Sequence, residues 1–94
     1  MSFEIRWSEN ARNSFRDVIE QIKCKWSDKE VSAFVKKANR TFNTISNSPY
    51  IYQSTRYENV RRAVITKQTS VLYRVNSQHI EILFFWDNRQ DPIL

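Results

Sequence analysis

Apolar and polar positions alternate from the start of the chain: Phe3, Ile5 and Trp7 are separated by Glu4 and Arg6, the period of two of a strand buried on one face. The period then changes. Ser8 offers a helix N-cap, with Glu9 in the first turn where the helix dipole favours negative charge. Ala11, Phe15, Val18, Ile19 and Ile22 follow at helical spacing and form one apolar stripe reaching to about Cys24 or Trp26. Ser27-Asp28-Lys29-Glu30 fits a capping box that opens a second helix. Its apolar stripe is Val31, Phe34, Val35, Ala38, Phe42 and Ile45, with Lys29, Lys36, Lys37 and Arg40 largely off it; Asn47-Ser48-Pro49 ends the helix. Positions 50–59 show no period and carry Tyr50, Tyr52 and Tyr57. Three β-rich runs close the chain, Val60–Thr66, Ser70–Asn76 and His79–Trp86. The connections between them are so short that neighbours must be antiparallel. The pattern predicts an α+β fold in the order β-α-α-β-β-β, a helical hairpin on one face of a twisted, mostly antiparallel sheet.

Composition narrows this picture. Residues 1–94 suffice for one domain, and with 40% hydrophobic and 14% aromatic residues the aromatics must supply much of its core. No Gly occurs, so phosphate-cradling glycine loops are excluded, and turns must come from Asn, Ser, Asp and Lys. One Cys and one His make no metal-ligand set, and no metal or cofactor is expected. Cys24 can form no internal disulfide and is expected to be a buried thiol. No apolar run approaches a membrane span, and the first residues do not read as a signal peptide; the expected compartment is the cytoplasm. The net charge of +5 favours polyanionic partners.

Several segments carry a family resemblance in the right order. They are Trp7-Ser8-Glu9-Asn10-Ala11, Ile45-Ser46-Asn47-Ser48-Pro49, Val60-Arg61-Arg62-Ala63-Val64, Val71-Leu72-Tyr73-Arg74-Val75 and the stretch from Phe85 to Pro92. Together they resemble the RelE/ParE toxin superfamily over nearly the whole chain. The resemblance implies the toxin half of a type II toxin–antitoxin pair, such as serves plasmid stabilization, silenced by a cognate antitoxin that wraps it. RelE-like members cut mRNA in the ribosome, and ParE-like members inhibit DNA gyrase.

The two mechanisms make different demands on residues. Metal-free RNA cleavage needs a base for the 2′-OH, charge stabilisation and an acid for the leaving oxygen. The resemblance places Arg61, Tyr73, Arg74 and Arg89 at or near the catalytic positions of a metal-free endoribonuclease. Other basic positions of that pattern fall on Ala63 and Ser70, and the terminal aromatic acid–base is missing. Arginine can bind phosphate but cannot act as a base. The residues therefore favour a ParE-like toxin that acts by binding, with Arg61, Arg62, Arg74 and Arg89 as its anion- or target-binding set. Arg61 and Arg62, adjacent on a strand, should face opposite ways, one toward the helical layer and the other onto the open face with Arg74. Phe85 and Trp86 are the expected antitoxin contacts. A non-toxic nucleic-acid-binding module is the third class open to a basic chain of this size, and solvated surface charge is the plain alternative for each arginine.

Overall fold

The computed structural model describes residues 2–90. Strand β1 (Glu4–Trp7) leads into helix α1 (Glu9–Lys25), which a short break separates from α2 (Asp28–Asn47). Four strands follow: β2 (Gln53–Ser54), β3 (Val60–Val64), β4 (Thr69–Val75) and β5 (His79–Asp87). Both predicted caps form. The Ser8 hydroxyl accepts from the Ala11 amide at 3.0 Å, and Ser27 accepts from the Glu30 amide at 3.4 Å.

The sheet order is β1-β5-β4-β3-β2. The last three strands form the expected meander, antiparallel throughout, while β1 lies parallel to β5 at the far edge. The stretch expected to be irregular contains one more strand, the two-residue β2, antiparallel to Arg61 and Arg62. A segment this short has too little pattern to betray a strand; it forms because β3 offers it an open edge.

One face of the sheet carries the helices. Ile5 and Trp7 pack there with Ala63, Val71, Tyr73, Ile80, Ile82 and Phe85, beneath Ala11, Phe15, Phe42 and Ile45. Trp7, Phe15, Phe42 and Phe85 form the aromatic centre, with ring centroids 5.0 to 6.1 Å apart. The α2 stripe is buried as predicted, Phe34, Ala38 and Ile45 inside, with Lys36, Lys37 and Arg40 in water. Cys24, expected to be buried, is exposed. It lies two residues beyond the inward-facing Ile22, about 200° further round the helix, and so points away from the sheet.

Strand β5 is bulged, with a register shift opposite Leu72 and Tyr73. It also outruns β1, whose last partner is Ile82. Helix α1 covers the edge that remains: the Ser8 hydroxyl donates to the Leu83 carbonyl at 2.8 Å, and the Phe85 amide donates to the Ser14 hydroxyl at 2.9 Å. Two serines thus satisfy backbone groups that a sixth strand would otherwise claim.

Candidate functional site

Residues directly opposite one another in a sheet share a face. The register therefore divides the candidate arginines. Arg61 pairs with Tyr73, on the helical side, whereas Arg62 pairs with Leu72, and Arg74 with Val60 and Glu81, on the open side. In the same row Arg6 of β1 stands opposite Glu81, so the open face carries Arg6, Glu81 and Arg74 in sequence across three strands. Towards its other end lie Leu72, Phe84 and Trp86, with the Phe84 and Trp86 rings 6.3 Å apart.

Arg61 is a staple. Its Nη1 donates to the carbonyls of Tyr50 at 3.0 Å and Tyr52 at 2.7 Å, and its guanidinium lies 5.2 Å from the centre of the Tyr50 ring. Beside it Tyr73 is 0% exposed and donates its hydroxyl to the Pro49 carbonyl at 2.6 Å. Burial pushes this phenol well above its ordinary value of 10.0, with the Arg61 charge opposing part of that rise. A buried hydroxyl already donating to the backbone can neither reach a substrate nor exchange a proton with it. Tyr73 and Arg61 hold the exit of α2 against the sheet.

Arg62 is fixed on the open face. Its Nε donates to the Ser70 hydroxyl at 3.2 Å and its Nη2 to the Asn88 Oδ1 at 2.9 Å, an oxygen that also accepts from Ser70 at 2.7 Å. Arg89 donates twice to the Asp87 carboxylate, at 3.0 and 2.8 Å. These hydrogen bonds lower the Asp87 carboxyl from 3.8 to about 2. Arg74 is exposed and has no hydrogen-bond or ion-pair partner among the described residues.

Phe85, expected at the antitoxin contact, is instead a core side chain under the helices, because the bulge turns it inward beside Trp7 and Phe15. Trp86, pairing with Ser70 on the open face, is half-buried and reaches solvent. Asp91 and Pro92 lie outside the described residues. Arg6 and Asn88 are the participants that sequence reasoning missed. The alternation of β1 places Arg6 opposite the half-buried Ile5 and Trp7, yet nothing local indicates that β1 borders β5.

A groove of about 590 Å³ lies where the helical hairpin overhangs the β3–β4 turn, walled by Trp26, Phe34, Lys25, Lys37, Lys67 and Arg89. Among the described residues no group of three or more His, Cys, Asp or Glu is placed to hold a metal ion, and no helix is long and apolar enough to cross a membrane.

The model of the ParE toxin of the type II toxin–antitoxin system parDE matches residues 5–92. The chain belongs to the ParE toxin family. Its fold is also that of several solved toxins. The chromosomal ParDE system of P. aeruginosa superposes with a TM-score of 0.79 at 12% identity, covering 92% of this chain and 96% of that one. The toxin–antitoxin complex RelBE2 from Mycobacterium tuberculosis gives 0.63 at 19% identity, with 94% and 100% covered. The YoeB dimer from Staphylococcus aureus gives 0.60 at 20% identity, with 89% and 94% covered. No curated protein matches the sequence. The α+β architecture of two helices on a mixed five-stranded sheet is that of these folds, and the role of toxin in a type II toxin–antitoxin system rests on the family match.

Proposed function

We propose that this ParE-family toxin arrests growth by binding an essential cytoplasmic target, DNA gyrase, rather than by cutting RNA. One observation carries the reading. Of the four side chains that could furnish a nuclease site, Arg61 and Tyr73 are committed to backbone carbonyls on the helical side, and Arg89 is paired with Asp87. Of these four only Arg74 is exposed and without a partner among the described residues, and a guanidinium can stabilise charge but cannot serve as base or acid. Arg74, diagonal to Arg62 on β3 and with Glu81 between it and Arg6, suits contact with an anionic group of a partner instead.

The ParDE and RelBE2 neighbours are toxin–antitoxin systems, which supports a cognate antitoxin as the silencing partner. Trp86 and Phe84 give that antitoxin an aromatic contact on the open face.

Purified toxin added to gyrase and, separately, to ribosomes translating a reporter mRNA tests the mechanism. Supercoiling should fail while the mRNA stays intact. Cleaved mRNA with normal supercoiling would make the chain a ribonuclease, and expression without growth arrest would leave only a nucleic-acid-binding module.

A further inference from the structure

Just beyond α2 the chain places three large apolar side chains in solvent: Tyr50 is 62% exposed, Ile51 65% and Tyr57 47%. Tyr50 and Tyr57 line one cavity and Ile51 adjoins Tyr50 in sequence, and exposed apolar side chains gathered in this way mark an interaction surface.

The segment bearing them is firmly held. The Thr55 hydroxyl accepts from the Tyr57 amide at 3.1 Å and donates to the Val60 carbonyl at 3.0 Å, an oxygen that also accepts from the Thr55 amide. The Val60 amide returns to the Tyr57 carbonyl at 3.2 Å. Asn59 takes the left-handed conformation, φ 62°, that this tight return requires, and Asn is among the residues that tolerate it. Arg61 clamps the other end through Tyr50 and Tyr52. A surface ordered before binding loses little entropy when a partner arrives.

Its chemistry is that of an interface hot spot, where Tyr and Arg are enriched. Arg56 lies 5.2 Å from the centre of the Tyr57 ring and donates to its hydroxyl at 3.1 Å, as Arg61 lies over Tyr50. Between them opens a cavity of about 270 Å³, lined by Tyr50, Arg56, Tyr57, Glu58, Val60 and Arg61. Two guanidiniums against one carboxylate make it attractive to a single negative charge. The same balance disfavours nucleic acid, whose binding draws on neutralising several phosphates, and each tyrosine already has an arginine at its ring.

We propose that residues 50–61 form a docking surface for a segment of the toxin's target protein that presents a carboxylate between apolar side chains. The carboxylate reaches Arg56 and the Nε and Nη2 of Arg61, whose Nη1 alone is taken by the Tyr50 and Tyr52 carbonyls, and its apolar neighbours cover Tyr50, Ile51 and Tyr57. This rests on the reading of the chain as a toxin that acts by binding.

The test uses Tyr57→Ser, the double variant Tyr50→Ser/Ile51→Ser, and Arg56→Glu, all at exposed positions, with thermal melting to verify folding. Each is scored for growth arrest on expression, for co-elution with the product of the adjacent antitoxin gene, and for binding a labelled single-stranded oligonucleotide. Target binding should weaken on the order of tenfold or more, read as recovered colony counts, while antitoxin co-elution persists. Undiminished arrest by all three folded variants would overturn the docking surface alone. Loss of antitoxin co-elution, or of oligonucleotide binding, would hand the surface to those partners instead. A wild-type chain that arrests nothing removes the toxin reading, and the docking surface with it.

Discussion

Arg61 and Arg62 are neighbours in sequence and opposites in role, because a strand sends successive side chains to opposite faces. Arg61 meets the carbonyls at the exit of α2, and Arg62 meets Ser70 and Asn88 on the open side. Arg61→Ala should therefore cost stability, about 1–3 kcal/mol for a charged hydrogen-bonding group, read from urea unfolding. Tyr73→Phe should cost about 1–2 kcal/mol in the same assay, since it leaves the Pro49 carbonyl without its buried donor. Equal stability of both variants with the wild type would remove the staple. Asp87 gives a pH prediction. Its carboxyl is held below its ordinary value by Arg89, so the pair's contribution is complete above pH 3.8 and disappears as pH falls through about 2. The pair is half-exposed and its effect on stability small, so the sharper measurement is an NMR titration. Arg89→Gln should return Asp87 towards 3.8, and an unmoved titration would show that the pair does not persist in solution.

Among the elements, β5 departs furthest from a regular strand. It loses β1 as a partner after Ile82, bulges near Leu83, and is carried onward by α1 through Ser8 and Ser14. Ser14→Ala should leave the Phe85 amide unpaired and destabilise by about 1–3 kcal/mol, with faster amide exchange at Phe85 as the local signature. Protection unchanged at that amide would count against the serine's role. The bulge has a visible consequence for the site. It turns Phe85 into the core and leaves Phe84 and Trp86 outside, so a strand with three aromatics in succession divides them between two faces.

For the molecule as a whole, the helices pack on one side of the sheet and leave its other side without a helical cover. Arg74 stands there exposed, between Val60 and Glu81. Arg74→Gln should reduce growth arrest on expression while changing stability by no more than about 0.5 kcal/mol, as expected of an exposed side chain with no partner among the described residues. Full toxicity in that variant would move target recognition off the open face.

Local pattern determined much of this protein. The α1 and α2 stripes, their serine caps and the three hairpin-linked strands are set by periodicity and turn chemistry within a few residues of one another, and all are present. The split of Arg61 from Arg62 was legible for the same reason. Pairings between distant segments were not legible. That β1 lies parallel to β5, that Gln53–Ser54 adds a strand, and that Ser8 and Ser14 complete the edge of β5 depend on which backbone groups remain unpaired once the chain has collapsed. Cys24 and Phe85 were misplaced because a residue's surroundings follow the exact rotation of its helix or the bulge in its strand. The chemistry of the candidate site turned on the same distinction. Composition supplies the arginines, but only the folded chain decides which of them bind its own carbonyls and which stay exposed.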